Sequence, residues 1–180
     1  MRVGIGYDIH RFSGKGPLKL GGVTIPHARG LAGHSDADVL LHAVTDALLG
    51  AVGAPDIGEQ FPPDDPRYRN MDSRAFVRTA LALIRRRGWG VGNLDATVIA
   101  DAPKLTGYKA RMAKTIGALL KVDPADVSVK AKTTEGIAPS RGGIAAHVVV
   151  LLKRAQGSGL RAGGKSAQRP APRARSQGSQ

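Results

Sequence analysis

Residues 30–51 read GLAGHSDADVLLHAVTDALLGA, and their periodicity is the strongest structural signal in the chain. Over 36–52, Leu40, Val44, Ala47, Leu48 and Ala51 recur at spacings of three and four, which puts them on one face of an amphipathic helix. Gly53 and Pro55 end it. The opposite stripe carries Asp38, His42 and Asp46, each four residues from the next and therefore stacked along the helix. A solvated polar face is the ordinary reading of such a stripe. A histidine with a carboxylate one turn away on each side also suits a metal-bound imidazole. Its second nitrogen needs an acceptor, and Asp38 or Asp46 is placed to be one. Just upstream, His34-Ser35-Asp36 offers a helix cap and, together with the helix N-terminus, a phosphate anchor at Ser35.

Working outward, residues 2–9 (RVGIGYDI) and 18–25 (LKLGGVTI) read as short strands with a Gly-rich turn between them. Residues 54–72, with four prolines, read as loop. Helices are expected over 73–87 and 107–121, the first with Arg85, Arg86 and Arg87 at the end where cations suit the helix dipole. Strands are expected over 93–100, 127–133 and 144–152. This order predicts a single α+β domain with helices on one face of a sheet.

Three further segments hold candidate site residues. Asp8 and His10 lie two apart on an extended segment, so both side chains leave one face, and both types are suitable ligands for a divalent ion. A surface pair explains them equally simply. Asp56-Ile57-Gly58 and Phe61 through Asp65 form a carboxylate- and Gly-bearing loop suited to sugar hydroxyls, although turn chemistry accounts for the same residues. Lys132, Thr133, Thr134 and Glu135 end a strand and enter a Gly-rich loop containing Arg141. Cations, hydroxyls and flexible backbone are what phosphate oxygens need, and Glu135 is suited to a hard cation such as magnesium between phosphates.

The 180 residues fit one domain. No cysteine is present, which excludes disulfides and thiolate chemistry and restricts any metal to His, Asp or Glu. No apolar run approaches a membrane span or a signal peptide, so a cytoplasmic protein is expected. Of the net charge of +13, seven cations fall within 153–180, which contains no acid and is rich in Gly, Ser, Pro and Gln. Residues 154–180 are therefore expected to form a basic disordered tail behind a domain spanning 1–153. No aromatic lies in that tail, so specific nucleic-acid binding is not expected.

Taken together, GYDIHRF, the stretch from Gly30 to Ala51, DIGEQFP, ADAPKL and VKAKTTE follow the order and spacing of the 2-C-methyl-D-erythritol 2,4-cyclodiphosphate synthase family, which the chain resembles from about Arg2 to Leu152. The pattern HSD-x-D-x-x-x-H-x-x-x-D with an upstream D-x-H is its most specific part. The resemblance implies a mixed, four-stranded-type sheet and a homotrimer with sites between subunits. It implies a phosphorus-oxygen lyase of the non-mevalonate isoprenoid route that takes a cytidine diphosphate substrate and releases CMP. Zinc would be held by Asp8, His10 and His42, and a second divalent ion, Mg2+ or Mn2+, by Glu135. His34 and Thr133 would stabilise the transition state. Asp56, Ile57 and Gly58 would meet the ribose, and the segment around Ala100, Pro103 and Lys104 the cytosine. Lys132 stands where the family usually has Thr, and the loop 136–143 is two residues shorter than the family pattern. A metal-stabilised binding or assembly protein of the same fold, with turnover lost through that loop, is the alternative. CMP release separates the two.

Overall fold

The computed structural model describes residues 1–14, 16–136 and 142–155. Arg141, most of the short loop, and the tail from 156 onward lie outside them. Strand β1 (Arg2–Ser13) runs antiparallel to β7 (Gly143–Arg154) and, at its far end, to β4 (Gly30–Leu31). β7 pairs antiparallel with β5 (Trp89–Ile99), which pairs parallel with β6 (Val127–Lys132). The sheet thus has five strands in the order β4-β1-β7-β5-β6, one more than expected. Helices α1 (Val39–Ala51), α3 (Arg74–Arg86) and α4 (Lys109–Leu120) match the predicted helices within a few residues, and the core lies between them and the sheet. α2 (Ile57–Gln60) and a 3-10 turn at Pro66–Tyr68 occupy the segment expected to be loop.

Residues 18–25 are not one strand. Gly21 and Gly22 both take positive φ, 60° and 72°, and fold the segment into a hairpin of β2 (Leu18–Leu20) and β3 (Val23–Ile25). β5 begins four residues earlier than expected, because Gly90 and Gly92 mask strand character around a bulge between Val91 and Asn93. At the other end of the chain, Arg154 belongs to the sheet rather than to the tail. It pairs with Trp89, and its guanidinium lies 4.4 Å from the indole centroid.

Asp38 joins the hairpin to the helix. It is fully buried and caps α1 by accepting from Leu41 N–H (3.0 Å), while also accepting from Gly21 N–H (2.8 Å) and Gly22 N–H (2.6 Å). Burial pushes its carboxyl up, against the pull of these three donors. Asp38→Ala leaves three buried N–H groups without an acceptor and is expected to cost about 3–5 kcal/mol of folding stability, measured by urea denaturation. A loss under about 1 kcal/mol would mean that water replaces the carboxylate.

Candidate functional site

β1 delivers Asp8 and His10 from one strand face, and the first turn of α1 delivers His42 beside them. Asp8 Oδ2 lies 2.9 Å from His10 Nε2 and 3.0 Å from His42 Nδ1, and the two imidazole nitrogens are 3.2 Å apart. Ligands on a tetrahedral zinc with bonds of 2.0–2.1 Å would stand about 3.3 Å from one another, so this triangle already has nearly the size of one tetrahedral face. The outer nitrogens set the tautomers. His10 Nδ1 meets the Ala32 carbonyl, which can only accept, so Nε2 turns its lone pair inward. His42 Nε2 lies 3.0 Å from Ser35 Oγ and 2.9 Å from Ser73 Oγ. Ser73 is fully buried and donates to Asp36 Oδ1, and Lys19 holds the other oxygen of Asp36 at 3.2 Å.

Three acceptors facing one point suit a cation between them, and the half-buried group Asp8, His10, His42 is of a kind that can bind a metal ion. Without one, protons on the inward imidazole nitrogens take that place. Burial opposes the charge on Asp8, but hydrogen bonds from both histidines overcome it and hold the carboxyl well below the usual range. Burial likewise opposes charge on His10, while Asp8 and the Ala32 carbonyl raise its pKa.

Next to the cluster is a cavity of about 170 Å³ lined by His10, His34, Ser35, His42, Ile57, Gly58, Phe61, Tyr68 and Phe76, among others. Asp46 accepts from Ile57 N–H (2.8 Å) and so ties α2 to α1. Asp56 caps α2 through Glu59 N–H (2.9 Å), which fixes Ile57 and Gly58 at the cavity wall.

Residues 1–153 match the YgbB family model. The chain belongs to the YgbB family. It is 56% identical over 156 residues to the protein of Bordetella petrii named 2-C-methyl-D-erythritol 2,4-cyclodiphosphate synthase, covering 86% of this chain and 96% of that one. A solved structure of a cyclodiphosphate synthase with CDP bound superposes with a TM-score of 0.79 at 39% identity, covering 84% of this chain and all of that one. The bifunctional IspDF of Campylobacter jejuni gives 0.82 at 39% identity, with 85% of this chain matching 42% of that longer chain.

The geometry corrects several expectations drawn from helix spacing and loop composition. Neither Asp38 nor Asp46 reaches His42, because each is committed to backbone N–H groups elsewhere. The carboxylate behind the imidazole is Asp36, acting through Ser73. Ser73 lies 31 residues from His42 at the start of α3, where its sequence marks it only as a helix cap. In the sequence Phe76 shows only as part of a helix. It stacks with Phe61 at 4.6 Å between ring centroids and approaches His42 at 5.8 Å, forming the cavity's apolar wall. Asp65 does not line the cavity and forms a bidentate pair with Arg67.

A second group gathers at the ends of β5 and β6. Ala100 N–H donates to the Lys132 carbonyl (2.9 Å), Thr134 donates to Asp101, and the Thr133 hydroxyl donates to Glu135. Pro103 and Lys104 follow Ala100 in the same loop. None of these residues lines the cavity beside the histidines. The register explains why: Ile9, Ala145, Ile99 and Lys132 sit in one row across four strands. The two groups therefore share one end of the sheet but stand three strand spacings apart, about 14 Å.

Proposed function

We propose that the protein converts 4-diphosphocytidyl-2-C-methyl-D-erythritol 2-phosphate to 2-C-methyl-D-erythritol 2,4-cyclodiphosphate, releasing CMP, in the non-mevalonate isoprenoid route. The observation that carries this reading is the triangle of three inward-facing acceptors at the mouth of a cavity walled by His34, Ser35, Ile57 and Gly58. The named relatives and the CDP-bound neighbour supply the substrate class.

In the reaction an oxygen of the 2-phosphate attacks the β-phosphorus. That P–O bond forms as the bond to CMP breaks, and both reacting groups are anionic. Zinc held by Asp8, His10 and His42 would supply Lewis-acid neutralisation at a phosphate oxygen. His34 and Ser35 are placed at the cavity to hold phosphate oxygens, and Ile57 and Gly58 present backbone to the sugar. Holding the two phosphates in line would supply rate without a protein nucleophile. Thr133, Thr134, Lys132, Ala100, Pro103 and Lys104 complete the nucleotide side, with Glu135 holding Mg2+ or Mn2+ against the diphosphate.

The 14 Å gap within one chain means that a single substrate meets both groups best when they come from two copies. The sheet face away from the helices bears Val3, Ile5, Tyr7, Ile9 and Val149, all exposed, which suits closure into a homotrimer. Glu135→Gln is expected to lower CMP release about tenfold or more with zinc content unchanged. Assembled at equal amounts with His42→Ala chains, it should recover roughly a quarter of wild-type turnover, because mixed interfaces rebuild intact sites. No recovery would place both groups' work within one chain. Absence of CMP release from the wild-type protein would favour the metal-stabilised binding protein instead.

A further inference from the structure

An open groove of about 760 Å³ lies between α3 and α4, and the proposed reaction does not use it. Along α3, Arg74, Arg78, Ala82 and Arg85 follow one another at spacings of four, four and three, and so form one wall. Lys114, Ala118 and Lys121, at spacings of four and three, form the other wall along and just beyond α4. Leu81 and Leu119 add apolar surface to the lining. No acidic residue lines the groove. Arg74 is committed to the Gly22 carbonyl and to Asp72. The side chains of Arg78, Arg85, Lys114 and Lys121 make no hydrogen bond or ion pair with any described residue.

We propose that this groove docks an acidic, amphipathic segment of a partner protein. Four exposed cations on the two walls, with no acid among them, favour an anionic occupant by charge complementarity. Ala82 from α3 and Ala118 from α4 also line the groove, and such small apolar side chains let a partner backbone approach and bury Leu- or Val-sized groups. Carboxylates on both flanks and an apolar stripe between them are the complement of this surface. No aromatic side chain lines the groove, so single-stranded nucleic acid has nothing to stack on. The surface is concave, whereas a membrane would need a flat or convex basic face. The chain's own residues 156–180 contain five cations and no acid, so they do not fit either. Because the groove lies on the helical side, it stays open in any assembly that buries the opposite apolar sheet face.

The test uses the zinc-loaded full chain and a fluorescein-labelled peptide with Leu at positions three and four apart and Glu on both flanks. Binding read by anisotropy should weaken at least tenfold in Arg78→Glu/Lys114→Glu, with melting temperature, zinc content and CMP release unchanged. Replacing Arg161, Lys165, Arg169, Arg173 and Arg175 by Gln should leave peptide binding as it was. Arg85→Glu/Lys121→Glu reads the same walls if the first pair fails to fold. Three outcomes would overturn the proposal: equal binding of a Leu→Ser peptide of the same charge, equal peptide affinity in the groove variants, or tighter groove-dependent binding of an oligonucleotide of equal charge or of phosphatidylserine vesicles.

Discussion

His42→Ala is expected to abolish stoichiometric zinc and to reduce CMP release by about 10³-fold, corresponding to roughly 4 kcal/mol of transition-state stabilisation. His42 contributes the third corner of the triangle, and without it Asp8 and His10 offer only two ligands, too few for a catalytic zinc site. The apoprotein should remain folded, because α1 is held by its apolar face and by Asp38 rather than by the metal. Ser73→Ala provides the graded comparison. It leaves all three ligands but removes one of the two hydroxyls on the outer nitrogen of His42 and the link to Asp36. Zinc affinity is then expected to fall about 10–100-fold. Chelator competition measures both variants. Full zinc occupancy in His42→Ala would remove this histidine from the metal centre, whatever the turnover.

Gly6→Ala is expected to cost at least about 4 kcal/mol, a large share of the roughly 5–15 kcal/mol that holds a typical domain folded. A methyl group at Gly6 would lie 1.9 Å from the Ala43 carbonyl oxygen, and one at Gly4 would lie 1.9 Å from that of Ala47. These are backbone atoms in the middle of α1, so relief requires the helix to move off the strand. Such a shift would also separate His42 from Asp8 and His10, and metal binding should fall together with stability. Gly90→Ala is the control. It is also a strand glycine, but a methyl there meets nothing within 4 Å, and the change should stay within about 0.5 kcal/mol. Chemical denaturation of the three proteins decides the point. A stable Gly6→Ala protein would mean that α1 slides on β1 more freely than the packing indicates.

Local periodicity was enough to place α1, α3 and α4, because each helix shows its apolar face within a dozen residues. The spacing of Asp8 and His10 on a strand, and of His42 on a helix, was equally local, and it named the residues that the fold brings within 3.2 Å of one another. The motif pattern further identified the family. Where the reading went astray, the deciding partner was distant in sequence. The role of Asp38 depends on a Gly-Gly turn 16 residues upstream, and that turn also split an expected strand into a hairpin. The carboxylate behind His42 is reached through Ser73, whose local sequence shows only the start of a helix.

The sequence by itself determined an α+β domain, an apolar helix face, three metal-ligand candidates and a cysteine-free chemistry, because these follow from residue type and short-range spacing. Only the tertiary structure decided which polar groups back those ligands, why β1 must carry Gly4 and Gly6, and how far the metal triangle stands from Thr133 and Glu135. Each of these depends on strand order and on close approach between segments 30 or more residues apart, and sheet register, unlike helical periodicity, is fixed by partners that the local sequence does not contain.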